Sequence, residues 1–382
     1  MYPKTKLGNV LELHRGYDLP ERERVDGNVP IISSSGYSGC HNEYKCEGEN
    51  VITGRYGTIG EVFFHEGKCW PLNTALYVSD YKGNYPKYIY YLLKYVLKLS
   101  TDGKDKSTVP GVDRNVLHQM NIPFCEDIDQ QRQSIKVLEN LDGRIKINKK
   151  VNDNLQQQAK LLYDYWFTQF DFPDGNGKPY RSSGGRMEWN EILKRHIPVG
   201  WQVKSLAELM DKTGDAFDYS SAQPAIDLSV MPSDSIALSQ LNTSESFSTN
   251  LYKMKKGDIL FGSIRPYLHK AGFAPCDGVV AGTVHSYTVK NECDYNFSLI
   301  TVSRKVFFDY AVNVSSGTKM PVVSSDSVLA YKVPYNAEIV SQFNNIALTD
   351  TIAINVRENQ KLIAMRDWLL PMLMNGQATI SD

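Results

Sequence analysis

The 382-residue sequence has no Cys-x-x-Cys pair, no long uncharged apolar run and no surplus charge of either sign. Its six cysteines, Cys40, Cys46, Cys69, Cys125, Cys276 and Cys293, are scattered. That usage fits reduced thiols in the cytoplasm better than a disulfide framework. Cys40, His41, Cys46, His65 and Cys69 can be drawn as a zinc site, but their spacing is irregular and no metal is expected. Lys plus Arg number 42 against 43 for Asp plus Glu. Net charge therefore argues neither for nor against nucleic acid, because a local basic face suffices. The opening "MYPKTKLGNV" lacks the apolar core of a signal peptide. The most apolar helical stretch, "YIYYLLKYVLKL" (88–99), is short and carries Lys94 and Lys98, so no membrane partner is expected. A hydrophobic content of 42% is enough for real cores, and the length allows two domains.

Catalytic signatures are also missing. "GRYGTIG" (54–60) does not have the glycine spacing of a dinucleotide loop. "GNGK" (175–178) is followed by Pro179, which is wrong for a phosphate loop running into a helix. No HExxH, GxSxG or Asp-Pro-Pro-Tyr type motif occurs, and the seven histidines are spread out. We expect no catalytic residues and no cofactor, and read the chain as a binding protein.

What the sequence does contain is itself, twice. "ENVITGRYG" (49–57) matches "GDILFGSIRP" (257–266), with Asn50 against Asp258 and Gly54 against Gly262. "KSTVPGVDRNVLHQMNIPF" (106–124) matches "GTKMPVVSSDSVLAYKVPY" (317–335), with Pro110 against Pro321 and Pro123 against Pro334. A third match lies in two helical stretches. Leu138, Leu141, Ile145, Asn148, Asn152, Leu155, Ala159, Leu162 and Trp166 alternate by three and four, the seam of a coiled-coil helix. Adding 207 to each position from Leu141 gives Leu348, Ile352, Asn355, Asn359, Leu362, Arg366 and Leu369. Both asparagines recur, and only Arg366, opposite Ala159, departs.

The expected fold is α+β: two duplicated mixed α/β domains separated by two long helices that pair as an antiparallel coiled coil. We place the first domain at 1–125, its helix at 126–170, a linker at 171–200, the second domain at 201–335, its helix at 336–376 and a tail at 377–382. Pro173, Pro179 and the glycines of "DFPDGNGKPYRSSGG" stop the first helix near Phe167–Phe170. The aromatics before and in it (Tyr163, Tyr165, Trp166, Phe167, Phe170, Phe172) suit either a buried helix end or a docking patch for another protein. A helix of about 40 residues is roughly 60 Å long, the size of a molecular ruler carrying a domain at each end. Seam asparagines cost stability but fix register; the alternative is that they are solvated at a frayed seam. Helix pairing is assigned to Leu141, Ile145, Asn148, Asn152, Leu155 and Leu162 with Leu348, Ile352, Asn355, Asn359, Leu362 and Leu369.

The domains read as strands 50–53, 59–65 and 74–79 joined by Gly-rich turns, with a matching second set. Arg55 and Tyr56 lie in the first turn; Arg265, Tyr267, His269 and Lys270 lie in its counterpart. Later loops add Lys104, Lys106, Thr108 and Arg114, then Thr318 and Lys319. Guanidinium groups on such loops suit base edges, and lysines suit phosphates. Singly, each is an ordinary solvated charge; as a set on equivalent loops they suggest DNA binding.

On "VPIISSSGYSG" (29–39), "GENVITGRYGTIG" (48–60), "QMNIPFCEDIDQQRQSI" (119–135), "NDNLQQQAKLLYDYWFTQFDFPDGNGKPYRSSGG" (152–185) and "ENQKLIAMRDWLLPMLMNGQ" (358–377), the chain resembles the specificity subunits of type I restriction–modification systems. "AEIVSQFNN" (337–345) departs, lacking the double Gln of Gln130–Gln131. The resemblance implies two target-recognition domains, each reading half of an interrupted site on double-stranded DNA. It implies helices that set the gap and dock two modification subunits, with restriction subunits joining through those. Methyl transfer and cleavage then belong to the partners. The alternative reading is a non-catalytic adaptor with two protein-binding domains.

Overall fold

The computed structural model describes residues 1–56, 60–102, 113–217, 221–238, 240–346 and 348–379. They pack as two units, Met1–Gly143 with Ile363–Asp382, and Arg144–Leu362. Both boundaries fall inside the long helices Ile128–Tyr163 and Thr349–Met374 rather than at helix ends.

In the first unit, Lys4–Lys6 pairs antiparallel with Asn121–Pro123. A four-stranded antiparallel sheet runs in the order Glu12–Arg15, Ala75–Asp80, Glu49–Gly54, Val62–Glu66. A three-stranded sheet runs Gly36–His41, Val29–Ser33, Trp70–Pro71, the last two parallel. Tyr88, Ile89, Leu92, Leu93 and Val96 recur at helical spacing along Pro86–Asp102 and are all buried. They share a core with Leu13, Val51 and Val78 of the sheet, Ile135 and Leu138 of the first long helix, and Leu370, Leu373 and Met374 of the second.

The first long helix starts at Asp127, whose carboxylate accepts from the N–H groups of Asp129 (2.9 Å) and Gln130 (3.1 Å). Gln131 behind it is fully buried. Its Nε2 donates to Asn84 Oδ1 (2.9 Å) and the Cys125 carbonyl (2.8 Å), and its Oε1 accepts from the Tyr85 N–H (2.9 Å). One amide thus ties the helix entry to the start of Pro86–Asp102.

In the second unit, a four-stranded sheet runs Met210–Thr213, Val284–Val289, Ile259–Gly262, Ala271–Phe273, again all antiparallel. Another runs Asn242–Thr243, Pro224–Ile226, Gly278–Ala281, Leu251–Met254, with its middle pair parallel. Gln202–Ser205 pairs antiparallel with Lys332–Tyr335. Phe261, Tyr287, Phe297, Phe307, Phe308 and Phe343 fill the core.

The first long helix ends inside that core. Its last turn, Asp164–Thr168, widens to π geometry, and the Gln169 N–H reaches the Asp164 carbonyl. Phe170 then takes a left-handed backbone (φ 65°), which a bulky residue adopts only under constraint. Its fully buried ring packs edge-on to Trp201 and lies under the Arg195 guanidinium. Tyr163, Phe167, Phe170 and Phe172 are all buried, so this end of the helix is a packing element; only Tyr165 of the aromatic group is exposed. The stretch expected as a linker, 171–200, is ordered. It holds the hairpin Met187–Asn190/Arg195–Pro198, and Phe172 stacks on Tyr180 at 4.7 Å.

The second helical segment differs from expectation. It is not one helix over 336–376 but two, Ala337–Asn344 and Thr349–Met374. The cause is Asn296, whose Nδ2 donates to the carbonyls of Asn344 (3.1 Å) and Ile346 (2.9 Å). The Asn344 side chain in turn binds the Asn296 N–H and the Glu292 carbonyl. Both residues are held by the neighbouring helix instead of continuing their own.

Gln131→Ala leaves the Tyr85 N–H and two acceptors without their partner. It should destabilise the first unit by about 2–4 kcal/mol, measured from denaturant midpoints. A cost below about 0.5 kcal/mol would mean that this amide is not what ties the helix entry down.

Candidate nucleic-acid interface and helix seam

Arg55 and Tyr56 leave the strand Glu49–Gly54 together, and both backbone N–H groups point at the Thr74 carbonyl (2.8 and 3.3 Å). The Arg55 guanidinium lies over the Tyr56 ring, 4.6 Å from its centroid, a stacking that pre-orients a flat cation. Arg114 opens the helix Arg114–Gln119, which is capped by Asp113 accepting from the Asn115 N–H at 2.8 Å. These residues meet in an open cleft of about 450 Å³ lined by Arg15, Arg55, Tyr56, Leu76, Asp113, Arg114 and Asn115. Three arginines thus line one cleft, and among the described residues Asp113 is the one carboxylate that lines it, in a chain of nearly balanced charge. Lys104, Lys106 and Thr108 lie outside the described residues.

The second unit repeats the ladder but not the side chains. Ser263 N donates to the Thr283 carbonyl (2.9 Å), the step taken by Arg55 N in the first unit. Arg265 sits two residues further on. Its left-handed backbone (φ 53°) starts the short turn Pro266–Leu268, and its N–H is bound by the Pro321 carbonyl at 2.8 Å. That bond and the Ile264–Val322 bridge place Arg265 beside the loop carrying Thr318 and Lys319. Arg265, Tyr267, Thr318 and Lys319 are exposed.

His269 and Lys270, expected as DNA contacts, also make contacts within the fold. The His269 ring stacks on Phe308 at 4.7 Å and its Nδ1 meets Asp234 Oδ1 at 2.8 Å. Lys270 Nζ donates to the Leu228 carbonyl. Both look like loop cations in sequence, and only the packing shows that they hold the loop in place.

Within the second unit the two long helices meet at their asparagines. Asn148 Nδ2 donates to Asn359 Oδ1 (2.9 Å), and Asn355 Nδ2 donates to Asn152 Oδ1 (2.8 Å). All four side chains are buried. Residue numbers rise along one helix as they fall along the other, and each asparagine bonds the repeat counterpart of its neighbour rather than its own. Ile145 and Ile352 are buried beside them, while Leu155 and Leu362 are half-buried. Glu358 accepts from Arg144 (3.1 and 3.2 Å) and from Asn148 (2.7 Å). Arg144 first, and Asn148 after it, hold that carboxyl below its ordinary range. In the first unit, Arg366, the one departure from the seam pattern, bonds Asp142 at 2.9 Å, and Asp142 also accepts from Tyr91 (2.8 Å).

Arg15 is the cleft residue that the sequence reading missed. It ends the strand Glu12–Arg15 and stands outside every repeat match, so only strand pairing brings it to the cleft. Among the described residues no cluster of His, Cys, Asp or Glu could hold a metal, and no helix is long and apolar enough to cross a membrane.

Residues 2–157 match the profile of the type I restriction modification DNA specificity domain. The specificity subunit of the type I restriction enzyme MjaIX from Methanocaldococcus jannaschii is 23% identical over 317 residues, covering 78% of this chain and 70% of that one. The EcoDI specificity subunit from Escherichia coli is 21% identical over 348 residues, covering 86% and 76%. The fold resembles the crystal structure of the type I restriction–modification S subunit from M. genitalium, with a TM-score of 0.54 at 16% identity over 100% of this chain and 97% of that one.

The amide pairs can be tested by a double-mutant cycle. Asn148→Leu or Asn359→Leu alone strands a buried amide and should cost about 1–3 kcal/mol. The double change should recover most of that cost, because an apolar pair needs no partner. Additive losses in chemical denaturation would show that the two amides act independently.

Proposed function

We infer the role of this chain from one premise: it is a specificity subunit of a type I restriction–modification system and carries a DNA specificity domain. The observation that carries the reading further is the cleft where Arg15, Arg55 and Arg114 converge beside Tyr56, inside the segment that matches that domain. Planar guanidinium groups grouped on loop and strand ends suit base edges and phosphates together. In a chain of nearly balanced charge, a cleft lined by three arginines is a local basic face suited to DNA.

In this reading the two halves are copies of one plan, each reading half of an interrupted site. The like strand orders, the recurrent seam and the crossed amide pairs support it. Arg55, Tyr56 and Arg114 serve one half-site, with Lys104, Lys106 and Thr108 from the same loop group. Arg265, Tyr267, Thr318 and Lys319 serve the other. The helices pair as an antiparallel coiled coil whose length sets the gap between half-sites. Two modification subunits dock on the helices, and restriction subunits join through them. Exposed apolar residues at equivalent repeat positions, Ile147 with Ile354 and Leu161 with Trp368, supply two similar docking faces. Methyl transfer and cleavage are assigned to the partners.

Deleting residues 145–151 together with the opposing 356–362 removes the Asn148–Asn359 pair and keeps Asn152 opposite Asn355. The paired segment shortens by about 10 Å, so the gap should shrink by about three base pairs with both half-sites unchanged. An unchanged gap in the methylated motif would refute the ruler. Lys319→Ala should weaken binding to all duplexes alike and lower the salt slope by about one. Arg55→Ala should cost about 1–3 kcal/mol on the preferred duplex and relax one position. Affinities of the assembled complex for matched and single-mismatch duplexes at several salt concentrations separate the two; uniform loss with Arg55→Ala would make it a phosphate contact.

A further inference from the structure

We propose that Arg15 is a base-reading residue of the first unit, directed at a guanine, and that Asp18 is its positioning residue. The proposal rests on the DNA-reading role given above. Arg15 and Thr53 flank Leu76 across the sheet, one from each neighbouring strand. Arg15 therefore stands at the sheet end from which Arg55 emerges, and it lines the same cleft.

Its side chain is held from one side only. Nη2 lies 3.1 and 3.2 Å from the two carboxylate oxygens of Asp18, and Asp18 is itself held by the Asn73 Nδ2 amide. Among the described residues Nε and Nη1 have no partner, and the Nη2 hydrogen that Asp18 leaves free completes a two-donor edge with one of them. The fold does not need this contact. The turn after Arg15 is already secured by Gly16 N to the Ala75 carbonyl (3.0 Å), Tyr17 N to the Pro71 carbonyl (2.8 Å) and Asn73 N to the Tyr17 carbonyl (3.0 Å). The side chains of Arg15 and Asp18 are 50% and 65% exposed, and an ion pair that open contributes little stability. What the pair does is aim the guanidinium.

The chemistry selects the ligand. A guanidinium backed by a carboxylate has part of its charge answered, so it adds less to general attraction for phosphate. Its rigid edge still matches two coplanar acceptors, such as O6 and N7 of guanine in the major groove. Arg114, which has no carboxylate bound to it among the described residues, is the better phosphate clamp. The matching strand of the second unit ends in Thr213 followed by Gly214, so the effect belongs to one half-site.

The test uses the full chain assembled with its modification subunits and a pool of randomised duplexes, selected and sequenced, followed by affinities over a salt series. Arg15→Lys keeps the charge and removes the fork. It should lower the preference for guanine at one base pair at least tenfold, leave every other position and the other half-site intact, and leave the salt slope unchanged. Asp18→Asn should weaken the same position to a smaller degree, and Asp18→Glu should restore part of it. Full selectivity in Arg15→Lys, or an equal loss on all duplexes in Arg15→Lys and Arg15→Ala, overturns the proposal while leaving DNA recognition in place. A parent complex that selects no motif overturns the recognition role and the proposal with it.

Discussion

Two amide–amide hydrogen bonds buried between the long helices hold the rest in order. Asn355 donates to Asn152, and Asn148 donates to both Asn359 and Glu358, so these buried amides find their partners on the facing helix. Sliding one helix by a turn would keep only one pair, Asn148 opposite Asn355 or Asn152 opposite Asn359, and would strand the other two buried amides at about 1–3 kcal/mol each. Leucines at the same places would bind as well or better and would tolerate more than one register. The asparagines therefore exchange some stability for a single alignment. A single alignment gives the paired segment one length, which is what the proposed spacer between half-sites requires.

The proposed reading surfaces follow a different logic. In each unit a four-stranded antiparallel sheet leads into short loops, and most of the proposed contact residues sit on them. In the first unit, arginines from the ends of two sheet strands and the start of a short helix line one cleft. In the second, the left-handed backbone at Arg265 and its bond to Pro321 bring two loops together, while His269 and Lys270 hold the turn from behind. The frames are alike and the side chains are not. On the proposed reading, two like frames keep their cores and differ in what they bind through loop residues alone.

Much of this was legible in the sequence, and the parts that were not have physical reasons. Heptad spacing and its recurrence exposed the helices and both asparagine positions, because helix periodicity is a local property. Strand positions such as Glu49–Gly54 followed from β-branched runs ending in glycine. The break after Asn344 left no local sign, since its cause is Asn296, a residue about fifty positions earlier. Arg15 was invisible for the same reason: it reaches the cleft through pairing with Leu76, a residue about sixty positions later. His269 looked like a surface cation because neither its stacking on Phe308 nor its bond to Asp234 is written in its neighbours.

The central claim is that this chain directs modification to a two-part DNA site. The most direct measurement is the map of methylated bases in cells with the gene and in otherwise identical cells without it. The account expects a motif of two short half-sites at a fixed gap, present in the first and lost in the second. Identical maps, or the loss of one uninterrupted motif, would contradict it.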